Sequence, residues 1–144
     1  MLEVKDKNLS ALKIKNCTDN QLKISTLEKA WAKYKYMILE HSPLHYQYIK
    51  TFLKEKHNID PLSFYDLIDE ALCTPVKLGT QINAIEHVCG YFKNNFDDKE
   101  IYKKKIINLK KGTLSVMAMK KWLYSKAQLY NYIYLLESYF LTIS

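Results

Sequence analysis

Residues 81–95 of this chain read QINAIEHVCGYFKNN. At the ~100° per residue of an α-helix, the apolar residues of this stretch fall on one side and the polar residues on the other. The apolar side holds Ile82, Ile85, Val88, Cys89 and Phe92, and the polar side holds Asn83, His87, Gly90, Tyr91 and Asn94. This separation predicts an amphipathic helix whose apolar side belongs to the core.

The polar side of that helix admits two interpretations. A glycine in a helix interior costs about 1 kcal/mol, so Gly90 needs a reason. In one interpretation the stripe is a recognition surface, and Gly90 permits close approach by a ligand or another backbone. In the other, a neighbouring helix crosses at Gly90, and His87 and Asn83 satisfy its buried polar groups. We favour the helix crossing, because it accounts for Gly90 without any ligand.

Capping and helix-breaking residues divide the rest of the chain into helices. Three pairs place an N-cap oxygen before a proline at the first helical position, and these are Ser42-Pro43, Asp60-Pro61 and Thr74-Pro75. Asp97 with Glu100 reads as a capping box, and Gly112 ends the helix that it opens. The predicted helices are 19–41, 43–56, 61–73, 75–95, 98–111 and 114–137.

These segments predict an all-α protein, a single-domain bundle of about six helices over residues 19–144, preceded by a loosely ordered segment over residues 1–18. A chain of 144 residues with 48% hydrophobic composition is suited to one core. No apolar run approaches the ~18 residues of a membrane span, and no signal peptide is predicted. The three cysteines are widely spaced and favour neither a disulfide framework nor a metal centre, so we expect a cytoplasmic protein.

The positive charge is concentrated in one part of the chain. All 22 basic residues are Lys, and the formal net charge is +7. Residues 1–98 balance 13 Lys against 13 acidic residues, whereas residues 99–126 carry nine Lys and only Glu100. Such a concentration indicates either an anion-binding surface or an ordinary solvated helix face. On the helix before Gly112, we expect Lys103, Lys104, Lys110 and Lys111 to point outward.

A second polar motif, HSPLHY, occupies residues 41–46 at a helix-to-helix corner. His41 and His45 are four residues apart, but Pro43 starts a new helix between them. They are therefore not the i and i+4 pair of a zinc helix, and no metal site or cofactor is predicted. General acid–base chemistry is an alternative, but the sequence names no catalytic residues, because neither a nucleophile nor an orienting carboxylate can be identified. We favour a corner histidine that hydrogen-bonds a helix end.

The chain resembles the YbgA-like family, a bacterial domain of unknown function that is also found fused to thiouracil and 4-thiouridine desulfidase domains. The resemblance rests on Lys35, on HSPLHY at 41–46, on NAIEHVCGYFK at 83–93 and on KKGTLSVMAMKKWL at 110–123. The family pattern matches here at His41, Ser42, Pro43, Tyr46, Asn83, His87, Gly90, Tyr91, Phe92 and Lys93. Departures are Trp31 in place of a His, a Lys instead of Arg before Gly112, a hydrophobic-Met run in place of a Pro-containing segment, and no Pro-rich ending after Tyr139.

The resemblance implies a polar site and a non-catalytic role. The polar site would comprise His41, Ser42, Tyr46, Asn83, His87, Gly90, Tyr91 and Lys93. The domain would bind RNA, expected to be tRNA, and assist a thionucleoside-processing enzyme, such as a separate desulfidase or a nucleic-acid repair enzyme.

From the residues themselves, phosphate contacts are predicted for Lys103, Lys104, Lys110, Lys111, Lys120 and Lys121. Tyr91, Trp122 and Tyr124 would stack on unpaired bases. Two other classes stay open: a small enzyme or ligand-binding protein that uses His41 and His87, and a protein-interaction subunit. The sequence does not determine an oligomeric state.

Overall fold

The computed structural model describes residue 11, residues 20–55 and residues 59–142, and the segment predicted for residues 1–18 lies outside the described residues apart from residue 11. Within the described ranges the chain is helical and contains no strand. The helices are α1 (Asn20–His41), α2 (Pro43–Lys54), α3 (Pro61–Cys73), α4 (Leu78–Cys89), α5 (Phe96–Lys111), α6 (Val116–Tyr130), α7 (Ile133–Leu136) and α8 (Tyr139–Thr142), with a 3₁₀ turn at Gly90–Phe92. The all-α prediction is confirmed. None of the helices in this part of the chain combines the length and apolar character needed to cross a membrane.

The core is built around α1, which packs against α2, α3, α4 and α8. From α1, Leu27 and Ile38 are fully buried in the core, and α1 packs against α4. That side is buried throughout, as its periodicity predicted, over Ile82, Ile85, Val88, Cys89 and the following Phe92. Burial of a large apolar side chain contributes about 1.5–3 kcal/mol, so this face is a main source of stability. The same burial raises the pKa of the Cys89 thiol to about 12.

Two of the predicted helix starts and one predicted end are confirmed. The side chain of Ser42 accepts a hydrogen bond from the backbone N–H of His45 at 3.2 Å, and Asp60 accepts one from Leu62 at 3.1 Å. Gly112 ends α5 in the left-handed conformation, with φ of 79°.

The start predicted at Thr74-Pro75 is wrong. Thr74 instead ends α3, because its N–H donates to the carbonyl of Ala71 and its hydroxyl donates to the carbonyl of Glu70. The side chain that would have capped the next helix is therefore turned back onto the preceding one. Helix α4 begins only at Leu78, after the extended residue Lys77.

Three other predicted segments also differ from the structure. The capping box at Asp97 is wrong, since α5 already begins at Phe96 with Asn95 as its N-cap. The segment 75–95 is shorter at both ends and closes with the 3₁₀ turn at Gly90–Phe92. The segment 114–137 is interrupted at Asn131, which adopts a left-handed conformation with φ of 54° and separates α6 from α7.

Candidate functional site

The polar stripe, which runs from α4 into the 3₁₀ turn that follows it, lies on the surface. His87, Gly90 and Lys93 are exposed, Tyr91 is 37% exposed and Asn83 is partly exposed. A Cβ added at Gly90 would meet no atom within 4 Å. The helix crossing that we favoured at Gly90 is therefore wrong, because a neighbouring element close enough to demand glycine would contact that Cβ.

The corner motif and the α4 motif meet through aromatic rings. The rings of Tyr46 and His87 lie edge to face with centroids 6.5 Å apart, and Tyr46 also contacts Trp31, with centroids 5.5 Å apart. The ammonium group of Lys50 lies 5.4 Å from the centre of the Tyr46 ring. Tyr46 thus forms a buried support for the exposed His87 imidazole.

Tyr91 belongs to a second aromatic group. The hydroxyl of Tyr36 donates to the hydroxyl of Tyr91 at 3.2 Å, and the Tyr91 ring stacks on Tyr134 with centroids 5.9 Å apart. The Lys35 ammonium lies 5.1 Å from the centre of the Tyr36 ring and 5.6 Å from that of Tyr134. Burial, followed by the hydrogen bond to Tyr91, raises the pKa of Tyr36 far above its ordinary value, so its phenol remains a donor.

We call Lys35, His87, Tyr91 and Tyr134 the Tyr91 surface. Tyr134, which is 39% exposed, was not singled out from the sequence. It lies on the short helix α7, which follows the turn at Asn131, and it contacts Tyr91 of the 3₁₀ turn. No local pattern signals such a contact between residues so far apart in the chain.

The two corner histidines contact helix ends. The Nδ1 of His41 lies 2.7 Å from the carbonyl oxygen of Thr74, and therefore donates to the C-terminal end of α3. This contact is the one that we favoured for a corner histidine. Over residues 11, 20–55 and 59–142, no group of three or more His, Cys, Asp or Glu side chains is arranged to hold a metal ion.

His45 connects Ser42 to an acidic residue that sequence reasoning missed. Its Nδ1 lies 2.7 Å from the Ser42 hydroxyl oxygen, and its Nε2 lies 3.2 Å from the carboxylate of Glu70. The order Ser, His, Glu resembles a nucleophile, a base and an orienting acid. Ser42 is buried, however, and its oxygen already accepts the His45 backbone N–H, which fits a residue that starts α2.

Lys120 corrects the predicted set of phosphate-binding lysines. It is only 6% exposed, and its ammonium lies 2.7 Å from Oε1 of Glu40, which is 2% exposed. The side-chain amide of Gln81 donates to the same Oε1 at 3.2 Å, and the Lys120 ammonium also lies 4.2 Å from the centre of the Phe140 ring. The Lys120 ammonium is therefore buried and paired, and it is not accessible to an external polyanion.

Both donors to Glu40 reach the same oxygen. The other, Oε2, is buried and has no hydrogen-bond partner. Leaving a buried acceptor unsatisfied costs about 1–3 kcal/mol. A cavity of about 410 Å³ is lined by Glu40, His41, Val76, Gln81, Val116, Met117 and Lys120. His87 is not among its lining residues, so the catalytic pairing of His41 with His87 gains no support from this cavity.

The remaining predicted lysines are on the surface. Lys103, Lys104, Lys110 and Lys111 are all exposed, and at ~100° per residue they fall within an arc of about 120° on α5. Lys103 approaches Glu100 at 3.6 Å and Lys110 approaches Glu86 at 3.7 Å. Lys121 is exposed on α6.

Helix α5 lies along one edge of the polar stripe. Lys110 reaches Glu86, and it lines a shallow cavity of about 430 Å³ together with Asn83 and Gly79 of α4. The Tyr91 ring instead packs against rings from α1 and α7. Lys110 of α5 thus lies near Asn83 of the stripe, whereas Tyr91 of the stripe packs against rings from α1 and α7.

A family model described as "Protein of unknown function (DUF1722)" matches residues 35–143. The match contains both motifs, the lysines of α5 and the Tyr91 surface. No curated protein and no solved structure matches the chain significantly.

Proposed function

The chain belongs to the family described as a protein of unknown function (DUF1722), and we propose that it is a YbgA-like, RNA-binding accessory module that contacts phosphates through α5. The expected RNA is tRNA in the bacterial cytoplasm. Chemistry on that RNA would belong to a partner enzyme, such as a separate thionucleoside desulfidase or a nucleic-acid repair enzyme.

The observation that carries the proposal is the exposure of the α5 lysines. Lys104 and Lys111 have no carboxylate within ion-pair distance among the described residues, and the two pairs made by Lys103 and Lys110 are long and on the surface. Exposed ion pairs of this kind contribute little to stability, typically under about 1 kcal/mol. RNA phosphates would therefore readily take the place of the two glutamate carboxylates. Helix α5 therefore presents a concentrated positive face to solvent.

The aromatic residues supply a second contact for RNA. Tyr91 and Tyr134 are half-exposed and stacked, and Lys35 lies over the Tyr134 ring. Unpaired bases stack on such rings for about 1–3 kcal/mol per base, whatever their identity. Lysines bind phosphate as point charges and lack the planar fork with which Arg reads a base edge. We therefore expect recognition of shape and backbone, with little sequence specificity.

The test is fluorescence anisotropy of bulk tRNA binding across a salt series. We expect the affinity of the wild-type protein to fall steeply with salt, because each phosphate contact releases counterions. Replacing Lys103, Lys104, Lys110 and Lys111 by Gln should weaken binding. It should also lower the slope of log K against log salt by about 0.7 to 0.9 for each phosphate that the variant no longer neutralises.

A matched control variant separates the effect of where the lysines lie from the effect of the total charge on tRNA binding. It replaces Lys54 and Lys77, two exposed lysines outside α5, by Gln, and is compared with a variant in which Lys104 and Lys111 of α5 are replaced by Gln. Both variants have the same net charge, so only the position of the substituted lysines differs. Equal weakening of tRNA binding in the two variants would mean that the α5 lysines act only through non-specific electrostatic attraction. Absence of tRNA binding by the wild-type protein at low salt would rule the proposal out.

A further inference from the structure

The shallow cavity between α4 and α5 is built around a residue without a side chain. We call it the Gly79 cavity; its volume is about 430 Å³, and its lining residues are Leu78, Gly79, Ile82, Asn83, Glu86 and Lys110. At ~100° per residue, the five that belong to α4 fall within an arc of about 140°, and Gly79 lies between Ile82 and Asn83 in that arc. A Cβ added at Gly79 would meet no atom within 4 Å, so this wall of the cavity is recessed at Gly79.

The lining is partly apolar and carries no net charge. Leu78 is 47% exposed, and Ile82 lies one turn further along the same side of α4. The Glu86 carboxylate and the Lys110 ammonium have opposite charges and lie 3.7 Å apart. The volume falls within the ~300–1,000 Å³ of small-ligand sites. An uncharged ring therefore suits this cavity better than a phosphate, because it covers the apolar wall without leaving a charge unpaired.

Asn83 gives the lining a polar group that the protein does not use. Its side chain is partly exposed, and it makes no hydrogen bond among residues 11, 20–55 and 59–142. The side-chain amide has both N–H donors and a carbonyl acceptor. Nucleobases have apolar faces and edges that carry donors and acceptors. The Gly79 cavity therefore matches a base in its chemistry, with an apolar wall for the face of the ring and an amide for its edge.

The Gly79 cavity borders the proposed phosphate contacts. Lys110 lines the cavity and is also one of the four exposed lysines of α5. An RNA strand whose phosphates lie on α5 would therefore pass the cavity. A base in a double-stranded stem is stacked and paired, so turning it out costs free energy, whereas an unpaired base turns out at little cost. The position of the cavity thus favours an unpaired nucleotide.

We propose that the Gly79 cavity holds the base of an unpaired nucleotide, such as a bulged one, in the RNA that the α5 lysines bind. This inference rests on the proposed function and adds to it the class of RNA, a stem interrupted by an unpaired nucleotide. One face of the base packs against Leu78 and Ile82 above Gly79, and its edge hydrogen-bonds the Asn83 amide. The phosphates on either side of the base contact Lys110 and the other lysines of α5.

The test compares two fluorescently labelled RNAs by fluorescence anisotropy, a fully paired duplex and the same duplex with one bulged adenosine. Both should bind with an affinity that falls with salt, because both place phosphates on α5. The wild-type protein should bind the bulged duplex about tenfold more tightly, because its unpaired base gains a contact that a paired base does not make.

Gly79→Leu blocks the cavity. This variant should bind both duplexes with the affinity that the wild-type protein has for the paired one, and so lose the preference for the bulge. Leucine is used because its side chain, unlike an aromatic ring, does not stack on a base. The variant should stay folded in urea denaturation, because open space surrounds the new Cβ and leucine favours a helix more than glycine does. Gln47→Leu adds the same side chain at an exposed position of α2, outside the cavity, and should keep the preference.

Three results separate this inference from the proposed function. Equal wild-type affinities for the two duplexes, with binding still weakened by the α5 substitutions, would overturn the inference and leave the proposed function standing. Loss of the preference in Tyr91→Leu but not in Gly79→Leu would place the base on the Tyr91 surface and would also overturn the inference. Absence of binding to either RNA at low salt would overturn both.

Discussion

Gly90 and Gly112 show how the backbone conformation at a position determines the strain caused by replacing glycine with a larger residue there. Gly90 has helical dihedrals, with φ of −57° and ψ of −25°, and there is open space where a Cβ would lie. Gly112 has φ of 79°, in the region that L side chains rarely adopt. The first glycine is therefore replaceable without strain, whereas the second is required to end α5.

We expect Gly90→Ala to raise the free energy of unfolding by about 0.4–1 kcal/mol, because alanine restricts the unfolded chain. Gly112→Ala should lower it by about 1–2 kcal/mol, because alanine is strained at positive φ. Urea denaturation, compared at constant m-value, measures both effects. A clear loss of stability in Gly90→Ala would mean that an element does approach this position. With stability retained, weaker tRNA binding by the same variant would indicate that RNA approaches the backbone there.

At the scale of helices, the same local motif has two different outcomes. Asp60-Pro61 starts α3, whereas Thr74-Pro75 follows the end of it. Asp60 accepts hydrogen bonds from the Leu62 N–H and the Ser63 hydroxyl, but the Thr74 hydroxyl donates backward to the carbonyl of Glu70. A capping residue before proline therefore marks a boundary between helices. Whether a helix begins or ends at that residue depends on which group its side chain hydrogen-bonds.

This difference predicts unequal effects of truncating the two side chains. Asp60→Ala should destabilise the protein by about 1 kcal/mol, because two donors at the start of α3 would be left without their acceptor. Thr74→Ala should change stability by less than about 0.5 kcal/mol. Thermal unfolding monitored by circular dichroism compares them, with the exposed mid-helix substitution Asp66→Ala as a further control. Similar effects of Asp60→Ala and Asp66→Ala would contradict the capping role.

Across the whole molecule, the buried pair of Glu40 and Lys120 joins the end of α1 to α6, over a separation of 80 residues. Removal of both charges of a buried pair is often tolerated, but removal of one partner leaves an uncompensated charge in the interior. The pair therefore makes the position of α6 depend on α1. Glu40 and Lys120 also line the cavity of about 410 Å³.

Lys120→Met alone should destabilise the protein by about 3–5 kcal/mol, and Glu40→Leu combined with Lys120→Met should recover most of that stability. The measurement is a double-mutant cycle in urea. Lys121→Met, at the neighbouring exposed position, serves as the control and should have almost no effect. If Lys120→Met were no more destabilising than Lys121→Met, the pair would not be buried in solution.

The sequence by itself determined the helical class, the buried side of α4, two helix starts and the end of α5. Each of these depends on residues within a few positions of one another. Helical periodicity separates Ile85 and Val88 from His87, Ser42 needs only the N–H of His45, and Gly112 needs only its own backbone freedom. Such local features are present in the order of residues before any helix packs against another.

Only the tertiary structure determined which side of each helix is buried and which residues contact it. Lys120 and Lys121 are adjacent in the chain, yet one is buried against Glu40 and the other is exposed. Likewise, the open space at Gly90 and the stacking of Tyr91 on Tyr134 depend on how distant helices are placed. Periodicity shows which residues share one side of a helix, but the burial and partners of that side are set by the elements that pack against it.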